Sequence, residues 1–216
     1  MKTRNLIISA VGRTMREYYL DHWLRTPEAH DYNITLITDW PHRYSDPPED
    51  SWPKITVHQY FGARYNYHDK FIYALTIISK TKQPAFLWDA DELHNFSKSI
   101  SLYNENSDIP QVGRLWYDNA KLSHDRNMEW WFLNKYISSI GVNNKDVTPI
   151  QEDKIWFPAL DYTQTIKVME DIKAQVHVNH RPPMNKWNVN GQGEGVALAT
   201  GLLKSGIPIK LVGEYK

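Results

Sequence analysis

Over the first 93 residues, short apolar runs alternate between two periods. Leu6-Ile7-Ile8-Ser9-Ala10-Val11 is almost continuously apolar and of strand length, the pattern of a strand buried on both faces. Gly12-Arg13 ends it, and Met15, Tyr18, Tyr19, His22 and Trp23 follow at helical spacing, predicting a helix over 13–24. Residues 33–38 form a second, β-branched strand that stops at Asp39-Trp40-Pro41. Pro47, Pro48, Pro53 and several charges then mark a loop before a short strand over 54–60. Phe71, Ile72, Leu75, Ile78 and Ser79 predict a helix over 69–82 with Asp69 at its start, and Pro84 separates it from a fourth strand over 85–88.

This alternation predicts an α/β domain whose central, mainly parallel mixed sheet is flanked by helices, a Rossmann-like nucleotide-binding half over 1–93. The half over 94–216 is less regular. Its pattern predicts a strand over 111–117, an aromatic-rich helix over 127–139, a helix over 162–172 and a strand over 174–180. Pro182-Pro183 breaks the chain before a glycine-rich turn over 191–195, which leads into a short helix ending at Lys204. That turn lacks the Lys-Ser/Thr of a Walker loop and reads as a flexible or capping turn. Residues 206–213 are apolar enough for a last strand and stop abruptly, as in a piece of a longer polypeptide or at a natural terminus.

At 216 residues and 41% hydrophobic content, the chain suffices for one domain with one real core. Lys+Arg and Asp+Glu balance at 25 each, so no overall field draws it to nucleic acid or to an anionic membrane. The opening apolar run is too short for a signal peptide or a membrane span, which makes the cytoplasm the default address. Cysteine is absent, so there is neither a disulfide framework nor a thiolate ligand. Metal ligation falls to His and carboxylates, which favours a hard cation. The 9 Trp, 13 Tyr and 9 His suit flat, partly polar ligands such as sugars and bases as well as a core.

The strongest chemical signal is Phe86-Leu87-Trp88-Asp89-Ala90-Asp91-Glu92-Leu93, an apolar strand running into three carboxylates. Carboxylates at the carboxyl end of a strand in an open α/β sheet fall where ligands bind. Charges so near a core require a cation or hydrogen bonds, and Asp89 and Asp91, with one residue between them, can share a divalent ion and its water shell. Such an ion can bridge a diphosphate and neutralise a departing nucleotide. An acidic turn capping the next helix is the alternative reading.

From Asn5 to Leu93 the chain carries, in order, Ile8-Ser9-Ala10-Val11-Gly12-Arg13, Thr38-Asp39, Lys70 and Trp88-Asp89-Ala90-Asp91-Glu92. In this it resembles glycosyltransferases of the GT-A class, and the Asp-Ala-Asp-Glu form resembles family-two-type members. More narrowly, the whole chain looks like the amino-terminal glycosyltransferase domains of large multidomain chlorovirus proteins. The resemblance implies a UDP-sugar donor, Mn2+ or Mg2+, a carbohydrate acceptor, further domains of a longer polypeptide, a host-cytoplasmic setting and a role in viral glycan synthesis. Glucose and rhamnose are the first candidate sugars. It places Ala10, Val11 and Arg13 beside uracil and ribose, Asp39 on the base, and Lys70 on the phosphates or ribose. Asp89 with Ala90 would approach the ribose and the metal's water shell, Asp91 would bind the metal, and Glu92 would orient either partner.

A third metal ligand in this class is often a late-strand His. Period-2 alternation in the predicted strand over 174–180 puts His177 and His180 on opposite faces; His180 is preferred, with Arg181 beside it for the diphosphate. The catalytic group is less determined. Asp125, Glu129, Glu152 and Asp153 fall in the acceptor-side half, each also readable as a surface or capping residue; Glu129, beside Trp130 and Trp131, is the favoured catalytic candidate. Trp116, Tyr117 and Asp118 are candidates for the sugar pocket, although Trp116 also suits a core. Two other classes stay open: a haloacid-dehalogenase-type phosphohydrolase, whose Asp-x-Asp also follows a buried strand, and a non-catalytic carbohydrate-binding module.

Overall fold

The structure is a computed structural model that describes residues 4–46, 52–61, 68–114, 150–179 and 194–212. Its centre is a seven-stranded sheet in the order β3-β2-β1-β4-β6-β5-β7, formed by β1 (Arg4–Ala10), β2 (Tyr32–Thr38), β3 (Ile55–Gln59), β4 (Ala85–Asp89), β5 (Gln111–Arg114), β6 (Ile150–Phe157) and β7 (Lys210–Val212). β1 pairs in parallel with both β2 and β4, and β2 with β3. β6 is antiparallel to its neighbours β4 and β5, and β7 runs parallel to β5, so β6 alone points the other way. The α/β class with a mainly parallel mixed sheet is the one the sequence predicts.

Between β1 and β2 the chain winds through Thr14–Leu20 in π geometry, α1 (Asp21–Leu24) and a 3-10 turn over Pro27–Asp31. α2 (Pro41–Ser45) follows β2, and α3 (Asp69–Thr81) crosses from β3 to β4. After β4 come a 3-10 segment, Ala90–Asn95, and α4 (Phe96–Ile100). α5 (Tyr162–Asn179) and α6 (Glu194–Lys204) complete the helices among the described residues. None of these is long and apolar enough to cross a membrane.

The alternation along each strand divides the core between the faces of the sheet. Ile7, Ile37, Leu87, Ile155 and Phe157 face one side, with Phe71, Leu75 and Ile78 of α3 and Val168 and Ile172 of α5. Leu6, Ile8, Phe86, Trp88 and Trp156 face the other, with Trp23, Tyr32, Phe96 and Tyr103. The second face is held by edge-to-face ring contacts, Trp88 to Phe96 at 4.7 Å and Tyr32 to Phe96 at 5.0 Å between centroids.

Short helical pieces over Pro27–Asp31, Pro41–Ser45, Ala90–Asn95 and Phe96–Ile100 add to the expected elements, and two larger departures concern the strands. β6 is an extra strand beside β4; its Gln151-Glu152-Asp153-Lys154 run conceals the strand because Lys154 is a buried cation with a partner, described below. The strand expected over 174–180 is instead the end of α5, which continues to Asn179. α5 is started firmly: Asp161 Oδ1 accepts from Gln164 N–H at 2.8 Å, and the Asp161 carbonyl accepts from Thr165 at 2.7 Å. Once propagating, a helix absorbs Val176 and Val178, whose alternation had suggested a strand. The helix expected over 127–139 and residues 115–117 of the expected fifth strand lie outside the described residues.

Candidate functional site

Strand order reverses at β1, with β2 and β3 laid down on one side and β4 on the other. In open α/β sheets this switch point opens a crevice outside the carboxyl ends of the strands. The register puts Ser9 beside Asp89 and Ala10 beside Thr38, so the turns after β1, β2 and β4 are adjacent. Gly12, in the first of them, has φ +94°, a conformation a side chain disfavours, which is why the apolar run of β1 must end in glycine.

The acidic turn after β4 is clamped from both faces of the sheet. Asp89 Oδ2 accepts from Lys70 Nζ at 2.6 Å, and Lys70, in the first turn of α3, is fully buried. On the other face Lys154 of β6 reaches Glu92 Oε2 at 2.6 Å. Trp88 and Lys154 are cross-strand partners, and the Trp88 indole N–H donates to the Glu92 carbonyl at 3.2 Å. The bond satisfies the buried indole N–H, a tie to the turn that a phenylalanine at this position could not make. His94 Nδ1 lies 2.7 Å from the Asp91 carbonyl, so it carries the proton, and Nε2 accepts from Asn95 Nδ2 at 2.6 Å. The clamps leave Asp91 as the one carboxylate of the turn whose side chain has no partner among the described residues.

A second cluster lies at the end of β2. Asp39 Oδ1 accepts from the Gly12 N–H at 3.2 Å and from the guanidinium of Arg16, which is nine-tenths buried. The Arg16 guanidinium carbon lies 5.4 Å and that of Arg43 5.6 Å from the centre of the half-exposed Trp40 ring. Arg43 also bonds buried Asp21, which accepts from the Tyr44 hydroxyl at 2.9 Å. That bond holds the Arg43 pKa above its ordinary value, whereas burial, aided by the Asp21 charge, pushes the Tyr44 hydroxyl well up.

The turns after β1, β2 and β4 thus bring together Ala10, Val11, Arg13, Asp39, Asp89, Ala90 and Asp91, with Lys70 reaching in from α3. Ala10 and Ala90 are fully buried, Val11 packs on the aliphatic core, and Arg13 is exposed and paired with Glu17 at 2.8 Å. Arg16 escaped the sequence reading because an arginine in a first helical turn looks solvated. Its signal was the carboxylate closing the next strand, since parallel register brings the ends of β1 and β2 together.

Among the described residues, no three His, Asp or Glu side chains converge as a metal cage would require. His177 lies on α5, so the strand argument that set it on the face opposite His180 is overturned. His180, Arg181, Trp116, Tyr117, Asp118, Asp125, Glu129, Trp130, Trp131 and the start of the glycine-rich turn lie outside the described residues. Glu152 and Asp153 lie on β6, and Asp153 is half-buried.

The sequence matches no model of a known protein family and no curated protein.

Proposed function

We propose that this chain is a metal-dependent GT-A-type glycosyltransferase that moves a hexosyl or deoxyhexosyl group from a UDP-sugar to a carbohydrate acceptor. The observation that carries the reading is the acidic turn Asp89–Asp91 at the carboxyl end of β4, at the strand-order switch and beside the glycine turn after β1. Asp91 would hold the Mn2+ or Mg2+ ion, because Asp89 and Glu92 are already neutralised by lysines. When bound, the ion offsets the charge that grows on the departing diphosphate. Lys70 and Lys154 keep the turn in one conformation, so Asp91 is presented without reorganisation. Arg16 holds Asp39 through one oxygen and leaves Oδ2 to accept from the base. Glucose and rhamnose are the sugars to test first, a viral glycan is the acceptor to test first, and the narrower likeness to chlorovirus glycosyltransferase domains belongs to the same proposal.

Calorimetric titration with UDP, with and without Mn2+, on the wild type and Asp91→Ala tests it. The expected result is UDP binding that needs the metal and disappears in the variant. Mg2+-dependent phosphatase turnover without UDP affinity, or sugar binding with neither UDP nor metal dependence, overturns it in favour of the phosphohydrolase or the binding module.

A further inference from the structure

A cleft of about 600 Å³ opens between the Thr14–Leu24 helical stretch and the Ala90–Asn95 segment, lined chiefly by Tyr18, Tyr19, His22, Trp23, Glu28 and His94. That volume is within the usual range for small-molecule sites, roughly 300–1,000 Å³. Three features define its chemistry. The walls are aromatic: Tyr18 is 65% exposed and packs edge-on against Tyr19 and His22, at 4.9 and 6.1 Å between centroids. The polar groups divide into used and unused sets. Glu28 accepts from the Trp23 indole at 3.3 Å and from Ser97, and both His94 nitrogens are engaged in the acidic turn. The Tyr18 and Tyr19 hydroxyls and the His22 ring nitrogens have no hydrogen-bond partner among the described residues. Finally, no Lys or Arg is among the described residues lining the cleft, and Glu28, the carboxylate among them, disfavours an anion.

Aromatic faces, unengaged hydroxyl and imidazole groups and the absence of a cation among the described lining residues suit a neutral polyhydroxylated ligand and not a phosphate. His94 closes the cleft and also bonds the carbonyl of Asp91, so the cleft adjoins the proposed metal residue. We infer that this cleft binds a neutral saccharide and, resting on the transferase reading above, that it is the subsite for the carbohydrate acceptor. Apart from His94 it is lined from the half over 1–93, whereas the sequence pointed to the half over 94–216 for the acceptor.

Saturation-transfer NMR on the full chain, with the methyl glycosides of glucose, galactose, mannose and rhamnose and with methyl cellobioside, tests the inference. At least one probe should receive saturation on its ring protons, and Tyr18→Ala should raise its dissociation constant about tenfold. His22→Ala should weaken it as well, and Tyr18→Phe should retain the ring contribution. Because Tyr18 and His22 are exposed, these variants keep the core, and unchanged thermal unfolding verifies it. Saturation of none of the probes, equal binding by Tyr18→Ala, or displacement of the glycoside by inorganic phosphate overturns the inference. UDP and Mn2+ titrated in parallel separate the two readings. Metal-dependent UDP binding without glycoside binding sinks the cleft alone, and Tyr18-dependent glycoside binding without UDP binding supports the cleft and sinks the donor site.

Discussion

The two faces of the sheet are built differently. One is mainly aliphatic and closed, among the described residues, by three regular helices, α3, α5 and α6, of which α5 is 18 residues long. The other is aromatic and closed, among the described residues, by stretches that change between π, α and 3-10 geometry within a few residues, such as Thr14–Leu20 into Asp21–Leu24 and Ala90–Asn95 into Phe96–Ile100. Long helices with Leu and Ile faces present an unbroken apolar stripe to the sheet. Short helical pieces leave gaps between their ends, and large rings span them with edge-to-face contacts that keep the core closed. The cleft opens on this face, and two of its walls, Tyr18 and Trp23, belong to those pieces. The acidic turn is joined to both faces, to α3 through Lys70 and to the aromatic side through Trp88 and Lys154.

If the aromatic face couples packing to the site, Trp88→Ala should be the most damaging substitution. It should cost about 3–5 kcal/mol in denaturant unfolding and also weaken metal-dependent UDP binding. Leu75→Ala on the aliphatic face should cost about 2–5 kcal/mol while leaving UDP binding unchanged in the folded fraction. Equal effects of the two on binding would erase the distinction between the faces.

Lys70→Met comes next. It removes the lysine charge that faces Asp89 beside the core, and since that carboxylate is about one-fifth exposed the loss should be about 2–3 kcal/mol, below the range for a fully buried pair. Asp89→Asn in the same chain should recover most of it, and a double-mutant cycle by urea unfolding measures the coupling.

Gly12→Ala should cost about 1–2 kcal/mol through backbone strain alone, because a Cβ at Gly12 meets nothing within 4 Å. Thermal unfolding measures it, and UDP titration should show a loss beyond the unfolded fraction because the Gly12 N–H holds Asp39.

The smallest effect is expected at His58 in β3, whose folded pKa is held below its ordinary 6.5 by burial and then by Lys80. Below 6.5 the unfolded chain binds this proton more readily than the folded one. The contribution is therefore whole above 6.5 and is lost as pH falls towards the folded value. In His58→Gln the fall in Tm across that window should be shallower than in the wild type.

The fold was largely legible where one rule governs one segment. Leu6-Ile7-Ile8 and Phe86-Leu87-Trp88 are apolar because both faces of a central parallel strand are covered, and Pro84 marks where α3 must stop. Legibility failed where a distant partner sets the outcome. β6 was hidden because the partner that makes Lys154 an interior residue is Glu92, far away in sequence. The end of α5 was misread because a local β-branched alternation was weighed without the helix already propagating into it. For the site, the acidic turn was visible as composition, and the resemblance singled out Lys70, but for the phosphates or ribose and not for its bond to Asp89; Lys154 looks like any other surface cation until β6 brings it beside Glu92. Arg16 was missed for the same reason.

The strand order also bears on when the sheet can form. β1 to β4 are complete once residue 89 has been made, and each has a sheet neighbour already in place. β5 is different, for both of its neighbours, β6 and β7, come later in the chain. It must wait with both edges open, so the Gln111–Arg114 segment is exposed to wrong pairing for the time it takes to synthesise everything from residue 115 to β6.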